Sequence, residues 1–228
     1  MKKYIQSFRL FFGTCQIKSM TIFAVIIAVL TALCGLSKLI PANDFLLGFA
    51  QGVSSMMGAM CAVFGLIFLN SLYQYMSPVN PGFKYYASLP DGASHFRRAI
   101  VIGNLLGIIT GLVLLAIICA LYLMIGVDVG IILFGISLLF LSTGVCNLTG
   151  FIKNNTVRVV SLMSVLCLFG FTVGFVSGSD EKNETTMLQF FSENYGIALL
   201  IGGISIAAFI TGLAYALAVA KKKWGEAL

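Results

Sequence analysis

The sequence predicts an all-α integral membrane protein, a bundle of about six transmembrane helices with an N-terminal amphipathic interfacial helix. Three observations predict it. The 228 residues are 59% hydrophobic and only 10% charged, with a mean hydropathy of +1.02, whereas a soluble domain carries about 25% charged residues. So few polar side chains do not cover a globular surface, and lipid is the expected solvent. The apolar residues fall into long runs, and the basic residues mark the ends of those runs. The net charge of +6 therefore does not form the single basic face of a nucleic-acid-binding domain.

Residues 1–19 come first. Tyr4, Ile5, Phe8, Phe11 and Phe12 share one helical face, while Lys2, Lys3, Ser7 and Arg9 take other angles. This pattern predicts a helix lying in the cytoplasmic interface, aromatics at the acyl boundary and lysines near anionic headgroups. The segment is basic and aromatic without a small-residue cleavage site, so a cleavable signal peptide is not expected.

Residues 20–220 form the predicted transmembrane domain. A hydrocarbon core needs about 20 apolar residues per helix, and the stretches that meet this are 20–40, 46–70, 99–125, 129–150, 158–178 and 196–219. Pro41, Pro78, Pro81 and Pro90 all lie between them, so no proline kink is expected within a span. Residues 221–228 are a short tail carrying Lys221, Lys222 and Lys223. Twelve of the 14 lysines and arginines lie in the N-terminal segment, the 71–98 connection, the turn at 151–158 and the tail. Only Lys38 and Lys182 fall on the other side, with most of the acidic residues. The positive-inside rule makes the basic side cytoplasmic, so a multi-pass cell-membrane protein with both termini inside is expected.

Small residues recur at helical spacing: Gly103, Gly107 and Gly111; Gly170, Gly174 and Gly178; Ala208, Gly212, Ala216 and Ala220. Such rows let helix backbones approach closely in lipid, within the bundle or between subunits. Ionisable residues are nearly absent from the spans. The uncharged polar groups there bond between helices or, for Gln51, Ser55, Asn104 and Asn147, line a translocation path.

Enzyme signatures are missing: no HExxH, no GxSxG, no carboxylate pair in a span, and a single histidine, His95, expected as a plain surface residue. The six cysteines form no CxxC pair and are expected to pack as small residues, without a metal site. No GxxxxGK[ST] phosphate loop exists, so ATP-driven work would need a partner.

The connection from Ser71 to Arg98 is the most distinctive segment. Prolines and glycines break it into turns, and Phe83, Tyr85, Tyr86, Leu89 and Phe96 give it a heavy apolar load. Exposed side chains of this kind predict a docking surface for a partner, or a loop folded back on the membrane. Tyr85-Tyr86-Ala87-Ser88-Leu89-Pro90, a polar stretch reaching Arg97 and Arg98, and then a long apolar run resemble the first cytoplasmic loop of ABC-2-type transporter permeases. One departure is Asp91-Gly92-Ala93-Ser94, where that family often has an early arginine or lysine.

The resemblance implies the membrane subunit of an ABC exporter with no cofactor of its own, energised by a separate ATPase subunit that uses ATP. It implies a second permease copy or a sister permease as partner, and a peptide, drug or lipid as substrate. It also implies an ATPase-coupling surface at Phe83, Lys84, Tyr85, Tyr86, Leu89, Pro90, Phe96, Arg97 and Arg98. The residues alone also admit the membrane subunit of a vitamin-uptake system, or a scaffold that transports nothing.

Overall fold

A computed structural model describes residues 2–12, 18, 21–22, 25–26, 29, 66, 69–74, 88–123, 130–152, 154–178 and 194–226. Among them are five helices and no strand: α1 (Lys2–Phe11), α2 (Gly92–Leu123), α3 (Gly130–Thr149), α4 (Asn155–Gly178) and α5 (Tyr195–Glu226). The last four overlie the apolar stretches from 99 onward. The stretches 20–40 and 46–70 lie almost wholly outside the described residues, although Leu66 and residues 69–74 are helical.

The helix starts follow from local chemistry. Leu89-Pro90-Asp91-Gly92 is a turn closed by the Gly92 N–H donating to Leu89 O at 3.0 Å. Pro90 fixes the first corner, and Asp91 takes the left-handed second corner at φ 58°, a conformation Asp tolerates better than most residues. The Asp91 carbonyl then accepts from Ser94 and His95 at 2.9 and 3.0 Å, and α2 is under way. Asn154 starts α4 in the same spirit, its Oδ1 accepting from the Thr156 N–H at 2.9 Å as an N-cap does. The Asn194 carbonyl accepts from Ile197 and Ala198 at the start of α5.

α2 thus begins at Gly92, earlier than the apolar run at 99, and Phe96, Arg97 and Arg98 are helical rather than part of a loop. Hydropathy marks where lipid begins. Backbone hydrogen bonding carries the helix beyond that point.

Among the described residues, two helices are long and apolar enough to cross a membrane, over Gly92–Ile117 and Tyr195–Ala220; Leu133–Thr149 and Asn155–Leu168 are shorter apolar pieces. Only 17% of the α5 window is buried within the chain, against 39% for α2. Leu199, Leu200, Ile204 and Ile210 stand exposed along α5, and Leu105, Ile109 and Val113 along α2. Contiguous exposure on this scale is unfavourable in water, and is compatible with a membrane setting.

Among the described helices, α3 and α5 make the most extensive contact. Their backbones touch where Gly144 meets Ala208 and Gly212. A Cβ on Gly144 would lie 2.5 Å from the Ala208 carbonyl oxygen, and one on Gly212 would strike the Gly144 carbonyl. Ala216 and Ala220 continue the α5 row and are fully buried. This small-residue row therefore packs within the chain. On α2, Gly103 lies against Phe12 and Leu69.

Candidate functional site

The structure gathers the segments that carry most of the basic residues at one end of the bundle. Phe96, in the second turn of α2, is fully buried and lies at the centre. Its ring meets Phe11 of α1 at 5.6 Å, Tyr73 at 6.3 Å and Phe151, just past α3, at 6.5 Å, with interplanar angles between 68° and 77°. Phe151 also meets Tyr73 at 5.3 Å and Tyr215 of α5 at 6.3 Å. These are edge-to-face contacts, each worth about 0.5–1.5 kcal/mol beyond the area it buries.

Polar groups beneath this knot are paired. The Tyr73 hydroxyl donates to Asn147 Oδ1 at 2.8 Å. Asn147 Nδ2 donates to Asn104 Oδ1 at 2.7 Å, and Asn104 Nδ2 donates to Asn147 Oδ1 at 3.3 Å and to Ile100 O at 2.8 Å. Burial holds the Tyr73 phenol, which lies past the 46–70 stretch, well above its usual range and so a neutral donor. Gly150 makes room for the Tyr73 ring, whose carbons would lie 2.6 Å from a Cβ there.

Arg158, in the first turn of α4, is only 4% exposed. Its Nη2 donates to Asn70 Oδ1 at 3.0 Å and to Asn155 Oδ1 at 2.6 Å, while Nε has no partner among the described residues.

α1 docks on α2. The Ser7 hydroxyl donates to Lys3 O at 2.8 Å and lies 2.9 Å from His95 Nδ1. His95 is half-buried and tied to α1, not the plain surface residue that sequence predicts. Beside this link, Tyr4, Ser94, Arg97, Arg98, Val101 and Leu217 line an open cleft between α1, α2 and α5.

Several sequence expectations change here. Phe96 is buried, so it belongs to the core and not to an exposed docking surface. Phe11 and Phe12 are 1% and 4% exposed and pack on protein, not at an acyl boundary. The periodicity that marks an apolar face does not tell lipid from protein as the material covering it. Tyr4 is exposed, and Ile5 and Phe8 lie on α1. Of the coupling surface, Pro90 and Arg97 are exposed and Leu89 and Arg98 half-buried. Phe83, Lys84, Tyr85 and Tyr86 lie outside the described residues, as do Gln51 and Ser55. Asn104 and Asn147 are brought together, buried and bonded to each other. Sequence reasoning missed Tyr73 as the partner of Asn147, Asn70 as the partner of Arg158, and Phe151 as a member of the ring cluster. The accessible signal was their shared position at the basic ends of apolar runs. Comparison of the chain with protein-family models, with curated proteins and with solved structures finds no match.

Proposed function

We propose that the chain is the permease subunit of an ATP-driven ABC exporter. About six helices embed it in the cell membrane with N- and C-termini in the cytoplasm. It moves a hydrophobic or amphipathic substrate (a peptide, drug or lipid) with energy from a separate ATPase subunit, alongside a second copy or a sister permease.

The observation that carries this reading is the turn at the root of α2. Pro90 is exposed and Leu89 half-exposed within the Ser88-Leu89-Pro90 motif. A few residues on, Phe96 is locked to α1, to Tyr73 and to Phe151. A force applied to the turn would therefore reach several helices as one rigid body, as a switch between two bundle arrangements requires. The scarcity of charge in the apolar runs suits a substrate with little charge of its own.

Purification of the tagged chain from native membranes in mild detergent, with mass spectrometry of what accompanies it, tests the reading. The expected result is a stoichiometric ATPase that is lost from the Tyr86→Ala, Leu89→Asp variant. Abundant intact protein without an ATPase overturns the reading and favours a scaffold that transports nothing.

A further inference from the structure

The cleft between α1, α2 and α5 is built from two kinds of surface. Arg97, Arg98, Ser94 and the Tyr4 hydroxyl supply two cations and two neutral hydrogen-bond donors, and none of the lining residues is acidic among the described residues. Val101 and Leu217 supply an apolar wall. That wall continues along both helices. Leu105 and Ile109 follow Val101 at four-residue steps on α2, and Ile210 precedes Leu217 by two turns on α5, all three strongly exposed. Residues at these spacings share a helix face. A cationic, hydrogen-bonding mouth thus opens onto an uncovered apolar track.

We propose that this cleft is a binding site for an anionic phospholipid. The phosphate lies between Arg97 and Arg98, with Ser94 and Tyr4 donating to the headgroup. The acyl chains follow Val101, Leu105 and Ile109 on one side and Leu217 and Ile210 on the other. Basic pockets between helices at the cytoplasmic face are suited to such headgroups, and arginine's planar fork matches phosphate geometry. A free phosphate or an acidic peptide would satisfy the arginines but leave the apolar track bare. The bound lipid would also bridge α1 to α5, holding the N-terminal helix against the bundle. The inference rests on the chain residing in a membrane, not on its having an ATPase partner, and it takes Arg97 and Arg98 away from the ATPase-coupling surface.

The test uses the full chain in mild detergent and native mass spectrometry with phosphatidylglycerol or phosphatidylcholine of identical acyl chains. Wild type is expected to retain phosphatidylglycerol in preference. The preference should fall by roughly fivefold for each arginine removed in Arg97→Gln, Arg98→Gln. It should fall less in Arg97→Lys, Arg98→Lys, which keeps the charges but not the planar forks, and be untouched by Lys18→Gln, which removes a charge outside the cleft. Should the double variant melt below wild type, Arg97→Gln alone, at an exposed position, serves instead.

Equal retention of the two lipids overturns the proposal, as does unchanged retention in the double glutamine variant. Displacement of the lipid by inorganic phosphate at matched concentration also overturns it and assigns a simple anion site. Normal lipid retention with loss of a co-purifying ATPase would return the two arginines to the coupling surface. Because the readout is retained lipid and not a bound ATPase, failure of the permease reading leaves this result standing. A chain that stays in solution without detergent would instead defeat the membrane premise itself.

Discussion

The side-chain amides of Asn104 and Asn147 face each other across the α2–α3 contact, 43 residues apart in sequence, with Asn147 donating at 2.7 Å and Asn104 returning a bond at 3.3 Å. The Tyr73 hydroxyl completes the set at 2.8 Å. Each buried amide is met by the other, so the polar cost of burying them is offset locally. The pair ties three segments together at the basic end of the bundle.

Replacing Asn147 by Ala strips the acceptor from the Tyr73 hydroxyl and the donor from Asn104 Oδ1, while Asn104 Nδ2 keeps its bond to Ile100 O. The orphaned buried groups should cost about 1–3 kcal/mol, seen as a lower melting temperature in detergent. The double variant Asn104→Ala, Asn147→Ala should cost less than the two single effects added, with a coupling of about 0.6–1.7 kcal/mol for an interhelical bond in lipid. Strict additivity would show that the pair does not act as a unit.

The α3–α5 crossing makes a second prediction through its glycines. Gly212→Ala puts a methyl into the Gly144 carbonyl, and backbone cannot rotate away as a side chain does. A loss of about 1–3 kcal/mol is expected from overpacking. Gly203→Ala, where nothing lies within 4 Å, should be neutral or stabilising by up to about 1 kcal/mol. Similar melting temperatures for the two variants would contradict the crossing geometry.

Phe11 holds α1 to the bundle through Phe96 at 5.6 Å. Truncating it to Ala should remove about 3–5 kcal/mol of local packing and release α1 while the apolar helices stay folded. Limited trypsin digestion reads this as faster cleavage after Arg9, with the rest of the chain still resistant. Ser7→Ala should accelerate cleavage less, since the hydroxyl contributes one hydrogen bond to His95 and one within α1. Unchanged cleavage in Phe11→Ala would show that α1 is held by something else.

The two chain ends of α2 and α5 lend themselves to a topology experiment. Ser94 and Tyr195 are both exposed and begin these helices, and Ser94 lies by the cleft that Leu217, near the end of α5, also lines. In a chain whose own cysteines have been replaced, a membrane-impermeant thiol reagent should label Tyr195→Cys in intact cells. It should label Ser94→Cys only after the membrane is opened. The reverse pattern would invert the orientation derived from the lysines and arginines.

Much of the fold was legible because hydrophobic run length and charge placement are one-dimensional properties. The runs from 99, 129, 158 and 196 each carry a helix, and the prolines kept clear of them; Pro90 sits in the turn that starts α2. The candidate site was less legible. Phe96 reads as an exposed loop residue because it precedes the apolar run at 99, yet the helix begins at Gly92 and buries Phe96 while leaving Arg97 exposed. His95 read as a bare surface residue because its partner, Ser7, is 88 positions away.

Composition and local spacing alone establish that the described segments are largely helical, where the apolar segments lie and that most of the basic residues border them. Which polar groups meet, that Phe11 and Phe96 pack on each other, and that Arg97 and Arg98 border a cleft with Val101 and Leu217 follow from how the helices pack. Those outcomes depend on contacts between segments far apart in sequence, and a periodic apolar face does not record whether lipid or another helix will cover it.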